Sequence, residues 1–207
     1  MREWSRRVMK TYVATNNLGK LAEMQAIFAG SPLELMTYPA YVSASEGESS
    51  YTENALLKAR SLQRQLRGAG IAAAVIADDS GLEVAALDNR PGVLSARYAG
   101  EHATWAERRA HLLCELEQLP DASRVARFVS HIAVVLNDGR EVVAAGAVAG
   151  IIAREEHGEG GFGYDPIFFY EPAKMTFAQM SEAAKNRCSH RRHAADNLLK
   201  ALVAHGR

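Results

Sequence analysis

The stretch Val75-Ile76-Ala77-Asp78-Asp79-Ser80-Gly81-Leu82 constrains this chain more than any other. Its apolar beginning reads as a buried strand from Ala72 to Ala77, which runs straight into two carboxylates, a hydroxyl and a glycine. Desolvating a carboxylate that has no partner is expensive, so a buried strand has no reason to end in unpaired charge. Successive side chains on a strand face opposite ways, and Asp78 and Asp79 therefore do different jobs unless the chain bends between them. One faces a ligand or a metal while the other holds the turn, and Gly81 lets the backbone leave the strand or a ligand come close. The same residues are equally compatible with a plain polar turn opened by aspartate.

Strands and helices alternate on either side of this stretch. Val8 to Ala14 reads as a first strand, followed by the polar turn Thr15-Asn16-Asn17-Leu18-Gly19-Lys20 and a helix with Leu21, Met24, Ala26, Ile27 and Phe28 on its apolar face. A helix start offers unpaired backbone N–H groups and Lys20 a point charge, a combination suited to phosphate. It is not a Walker A loop, since the earlier glycine is missing and Lys20 precedes Leu21. An ordinary turn capped by Asn or Thr has the same composition. Leu33 to Tyr38 reads as a second strand, and a polar segment with Glu46 and Glu48 leads to Ser50-Tyr51-Thr52-Glu53, the capping-box opening of a helix. Glu53 is explained as a cap. Glu46 and Glu48 have no such explanation, although loop acids are commonly just solvated.

Leu82 to Leu87 reads as a further strand, and Asp88-Asn89-Arg90-Pro91-Gly92 as a turn. Thr104-Trp105-Ala106-Glu107 opens a helix in which Cys114 is expected as a packed thiol. Arg124 to Leu136 and Arg140 to Ala149 form a hairpin about Asn137-Asp138-Gly139. Next comes Gly158-Glu159-Gly160-Gly161-Phe162-Gly163-Tyr164-Asp165-Pro166, whose glycines loosen the backbone and whose rings either stack a base or plug the core. Helical segments from Ser181 to Arg187 and from Ser189 to His205 close the chain, with Lys185, His190 and Arg191 near their junction. Positive charge at a helix start opposes the helix dipole, so these residues answer a ligand or a nearby acid. The alternation with one hairpin predicts an α/β fold with a mixed sheet.

Composition removes several classes. At 207 residues the chain fits one domain spanning 1–207 with room for two lobes, and its 24 basic and 24 acidic residues cancel. A neutral chain is a poor nucleic-acid binder. Two cysteines without metal-type spacing fit a reducing compartment, and no run is long and apolar enough for a bilayer, so a cytoplasmic protein without membrane partners is expected. Residues 1–10 read as a basic lead-in that lacks the apolar segment of a signal peptide.

Acids beside a central strand, a phosphate-type turn, an aromatic glycine loop and a late basic cluster together suit a nucleoside triphosphate with magnesium. Thr15-Asn16-Asn17-Leu18-Gly19-Lys20, Thr52-Glu53-Asn54-Ala55, Ala77-Asp78-Asp79-Ser80-Gly81-Leu82, Pro91-Gly92 with Ser95-Ala96-Arg97-Tyr98, Gly161-Phe162-Gly163-Tyr164-Asp165-Pro166 and Ser189-His190-Arg191 follow in order. This series resembles the inosine/xanthosine triphosphate pyrophosphatase family over nearly the whole chain after Lys10. The resemblance implies an elongated mixed sheet flanked by helices in two lobes with a central cleft, and a homodimer. It implies magnesium-dependent hydrolysis of ITP, dITP and XTP to the monophosphate and pyrophosphate, which clears deaminated purines.

Carried over by position, Thr15, Asn16, Asn17, Leu18, Gly19 and Lys20 bind the triphosphate, with Lys20 also catalytic. Asp79 is the proton acceptor and a magnesium ligand, and Ser80 contacts substrate. Phe162, Gly163, Tyr164 and Asp165 line the base pocket, which Lys185, His190 and Arg191 complete, the two cationic groups Lys185 and Arg191 facing O6 and N7 of a 6-oxo purine. Two departures stand out: Asn16 is larger than the family's usual residue, and Glu46-Gly47-Glu48 replaces Glu-x-Gly. Glu46 aligns better as the second metal ligand, with Glu48 the alternative. A non-catalytic nucleotide- or RNA-binding module is the rival reading. A phosphatase with an aspartyl nucleophile lacks its Asp-x-Asp pair, and His190 with His193 lacks the further ligands of a zinc site.

Overall fold

The computed structural model describes residues 8–48 and 50–205; the first seven residues of the basic lead-in lie outside that range. Among the described residues, seven strands form one mixed sheet: β1 (Met9–Val13), β2 (Leu33–Met36), β3 (Ala74–Val84), β4 (Val125–Val135), β5 (Glu141–Ile152), β6 (Phe168–Tyr170) and β7 (Met175–Thr176), in the order β2-β1-β3-β4-β5-β6-β7. β1 pairs in parallel with β2 and β3, while β5, β6 and β7 pair antiparallel. The described residues also form the α-helices α1 (Leu18–Phe28), α2 (Tyr51–Gly68), α3 (Trp105–Glu117), α4 (Glu182–Cys188) and α5 (His190–His205). The expected α/β class with a mixed sheet is what the chain adopts.

The caps are local chemistry. Asn17 accepts from the backbone N–H of Lys20 to start α1, Ser50 accepts from Glu53 to start α2, and Ser181 accepts from Ala184 to start α4. Thr104 and Glu107 cap α3 reciprocally. Cys114 is exposed rather than packed, because Leu112 and Leu116 hold the buried stripe of α3.

The described residues fall into two compact units, one made of those within Met1–Asp79, Ser130–Gly146 and Arg191–Arg207, the other of those within Ser80–Val129 and Ala147–His190. In the first unit, β3 sends Ala74 and Ile76 into a core with Met24, Ile27 and Phe28 of α1 and Leu198 and Leu202 of α5. Val75 and Ala77 turn the other way, onto Ala59, Leu62 and Leu66 of α2. In the second unit, Leu82 and Val84 join Leu112 and Leu116 of α3 and the rings of Phe128, Phe168 and Phe177, whose centroids lie 4.5–6.0 Å apart.

One expectation is corrected here. Asp78 and Asp79 do not end a strand, and Leu82 to Leu87 is not a separate one: β3 runs unbroken from Ala74 to Val84, and a short 3₁₀ turn covers Ala85–Leu87. The strand passes through two buried carboxylates because each finds partners on its own side. Asp78, on the α1–α5 face, accepts from the Ser130 hydroxyl at 2.5 Å and pairs with Lys20 at 3.1 Å and Arg191 at 3.2 Å. Asp79, on the α2 face, pairs with Lys58 at 2.7 Å and accepts from Asn54 at 3.2 Å. Paired in this way, the charges no longer oppose burial, and the sheet continues.

Removing one partner exposes that balance. Arg191→Ala, which strips a buried cation from Asp78 and Glu23, is expected to lower unfolding free energy by about 3 kcal/mol in urea titration. A midpoint identical to the parent would show that Arg191 contributes nothing to the folded state.

Candidate active site

The first unit gathers charge around β3. Glu46 lies in the loop before α2, Asn54 and Lys58 stand one turn apart on α2, and Lys20 and Glu23 lie on the first turns of α1. The Lys58 ammonium bridges the Asp79 carboxylate at 2.7 Å and the Glu46 carboxylate at 3.3 Å. Asn54 ties this pair together. Its amide donates to Asp79 and to the Gly47 carbonyl at 3.1 Å, and its oxygen accepts from the Gly47 N–H at 2.8 Å. The acidic loop is therefore held beside Asp79 by its backbone, and Glu46 is the acid it delivers; Glu48 is exposed. On the other face, Arg191 donates to Glu23 at 2.6 Å as well as to Asp78.

These charges shift one another. Burial pushes the Asp79 carboxyl above the usual aspartate range, against the pull of Lys58 and Lys20. Burial acts to lower Lys58, but the Asp79 and Glu46 carboxylates outweigh it and hold the ammonium above its ordinary value. Lys20 moves the opposite way: burial, with the Lys58 and Arg191 charges, outweighs Asp78 and draws it down. The unit thus holds a firmly cationic lysine, a more easily neutralised one, and a carboxylate with enhanced affinity for a proton.

The donor set suits a hard divalent cation. Asp79 and Glu46 already converge on one positive centre, the Lys58 ammonium. Of the residues named, Lys20, Lys58 and Arg191 face Asp78, Asp79, Glu46 and Glu23, an excess of one negative charge. Among the described residues no three His, Cys, Asp or Glu side chains are grouped to hold a metal by themselves. Two carboxylates fit magnesium better than a complete cage does, because that ion keeps waters and takes substrate phosphates as further ligands.

The turn before α1 is partly committed to its own structure. Thr15 accepts from the Asn17 N–H at 3.1 Å, Asn17 caps Lys20, and Asn16 donates to the Ser43 hydroxyl at 2.9 Å. Leu18 is 79% exposed, Gly19 lies between it and Lys20, and Lys20 reaches Asp78.

The second unit carries the aromatic loop. Asp165, 2% exposed, is its anchor: one oxygen accepts from the Phe162 N–H at 2.8 Å and from the Lys185 ammonium at 2.5 Å. Lys185 also lies 4.8 Å from the centre of the Phe162 ring. Gly161 must be glycine, since at φ +68° its Cβ would stand 2.2 Å from that same carboxylate oxygen. Tyr164 turns inward instead, donating to the Ser95 carbonyl at 3.0 Å and packing edge-on to Trp105. His190 stacks on Phe128 at 4.8 Å, and Ser80 follows Asp79 on β3.

Lys185, His190 and Arg191 each have partners of their own. Lys185 joins Asp165 and Phe162, His190 joins Phe128, and Arg191 joins Asp78 and Glu23. The expectation that a basic helix start answers an acid holds for Arg191. Sequence reading assigned no role to Lys58, Asn54, Glu23 or Ser130. Lys58 and Asn54 left a trace, two polar residues inside the buried stripe of Ala55, Ala59 and Leu62. Glu23 and Ser130 left none, because their partners lie far along the chain.

The model of the Ham1 family matches residues 11–201. A dITP/XTP pyrophosphatase of Nocardia farcinica is 44% identical over 201 residues, covering 94% of this chain and 95% of that protein. One of Halalkalibacterium halodurans is 40% identical over 205 residues, covering 98% and 100%. The solved structure of a HAM1 protein from Coxiella burnetii superposes with a TM-score of 0.80 at 36% identity, covering 95% of this chain and 99% of that one. With a family model spanning nearly the whole chain, and relatives and a solved structure agreeing end to end, this chain belongs to the Ham1 family.

Proposed function

We propose that this chain is a nucleoside triphosphate pyrophosphatase that hydrolyses ITP, dITP and XTP to the monophosphate and pyrophosphate. The observation that carries the reading is the convergence of Asp79 and Glu46 on the Lys58 ammonium, with Lys20 close by on Asp78. That arrangement offers carboxylates to a cation and two lysines to phosphate oxygens. The names of the relatives support the substrate class. Magnesium as the metal and a homodimer belong to the same proposal and rest on the family resemblance; a cytoplasmic setting belongs to it too and rests on the cysteine usage.

Asp79 and Glu46 would hold the magnesium ion, which when bound supplies neutralising charge to the phosphate oxygens. The remaining work falls to side chains. Asp79, whose proton affinity is raised by burial, takes a proton from the water that attacks the α-phosphorus. The bond between the α-phosphorus and its bridging oxygen breaks, and the departing pyrophosphate carries its new charge toward Lys20 and Lys58. Arg191 acts through Asp78 as a positioning residue. For the purine, Phe162 offers a stacking face and Lys185, held by Asp165, offers hydrogen bonds to O6 or N7. Adenine presents a donor at that edge and is disfavoured.

Asp79→Asn is expected to lower kcat for pyrophosphate release from ITP by at least about a hundredfold while the circular dichroism spectrum stays unchanged. Release at the parent rate would refute its role, and orthophosphate as the first product would refute the reaction class. Chelation with EDTA is expected to stop turnover and added magnesium to restore it; full activity in EDTA would remove the metal from the proposal. Lys58→Met takes away the leading charge that holds the Asp79 carboxyl down. The acid limb of the kcat/KM profile is then expected to move to higher pH. A limb that stays in place or moves down would disconnect that limb from Asp79.

A further inference from the structure

The aromatic loop of the second unit is held by a device that none of the roles above uses. Arg109, on α3 and largely buried, sends one guanidinium nitrogen to the Gly163 carbonyl at 2.8 Å. Its other two nitrogens form a fork on Glu156, each at 2.9 Å from a carboxylate oxygen. Such a bidentate pair fixes the plane of the guanidinium as well as its position. The third nitrogen is thereby aimed at one peptide of the loop. Gly163 has φ +67°, a conformation from which its peptide can turn at little cost when nothing holds it. One helical turn before Arg109, the Trp105 ring lies 3.8 Å from where a Gly163 Cβ would stand and packs edge-on to Tyr164.

Both ends of the arrangement bear on Phe162. Its backbone N–H is tied to Asp165, and the next residue's carbonyl is tied to Arg109. The Phe162 ring, with Lys185 at 4.8 Å, is the flat face assigned above to the purine. We propose that Arg109, locked in plane by Glu156, is a positioning residue for purine selection, holding the Gly163 carbonyl so that the Phe162 ring is presented in one orientation. The inference rests on the purine-reading role assigned to this loop and adds the residue pair that sets its geometry. Arg109 and Glu156 are tied to each other and to the aromatic loop, so their loss is expected to act on the base rather than on the hydrolytic step.

Arg109→Met is expected to raise KM for ITP about tenfold, the size of one charge-assisted hydrogen bond, with kcat within about twofold of the parent. The preference for ITP over ATP is expected to shrink in parallel. Inorganic triphosphate, which has no base, is expected to inhibit parent and variant with the same Ki. Arg109→Lys keeps the charge but not the fork and is expected not to restore KM, while Glu156→Gln falls between parent and Arg109→Met. An unchanged KM and an unchanged ITP-to-ATP ratio in Arg109→Met would overturn the positioning role and leave the purine reading standing. A Ki for inorganic triphosphate that rises together with KM would also overturn it, by revealing general structural damage. Failure of the parent protein itself to prefer ITP over ATP would overturn the purine reading and, with it, this inference.

Discussion

Two neighbouring carboxylates buried in the middle of a strand are the constraint on which the first unit depends. Alternation on β3 sends Asp78 and Asp79 to opposite faces, and each face must then supply cations or donors. The supply comes from distant parts of the chain: Lys20 from α1, Ser130 from β4 and Arg191 from α5 for one, Asn54 and Lys58 from α2 for the other. A hydrophobic replacement of the set would suit a strand better, since buried ion pairs seldom improve on well-packed apolar groups. Groups of this kind have a clear use where a polyanion and a metal are handled, because their charges are placed before the ligand comes.

The second unit solves a different problem with similar means. A loop rich in glycine carries a phenylalanine ring and must present it in one way. Asp165 collects the Phe162 N–H and the Lys185 ammonium, and Gly161 leaves room for that carboxylate. Arg109 and Glu156 hold the next peptide from the side of α3. Flexibility of the backbone and order at Phe162 are reconciled because the tethers on either side of its ring end on charged groups, and charge-assisted hydrogen bonds are the stronger kind.

Residues that report on their own neighbourhood were legible in the sequence. Asn17, Ser50, Thr104 and Ser181 start helices through bonds three residues away, and the turn between β4 and β5 lies within the few residues that signalled it. Residues whose meaning lies in a distant partner were not. Arg191 read as part of a basic cluster with Lys185 and His190, yet its guanidinium belongs to Asp78 and Glu23, 113 and 168 residues back. Lys58 drew no reading from its neighbours in the chain and is buried against two acids. Tyr164 read as part of a base pocket, and its ring joins the core.

By itself the amino-acid order determined that strands and helices alternate, where most helices begin, and that a set of acids, lysines, glycines and rings suited to a nucleotide occurs in one chain. Periodicity and capping act over a few residues, so they are written locally. Tertiary structure alone decided that β3 would pass through its aspartates rather than stop. It also decided which acid stands beside Asp79, and which cation answers which carboxylate. Those outcomes depend on the cost of burying charge, and that cost is set by whatever the fold brings within hydrogen-bonding distance.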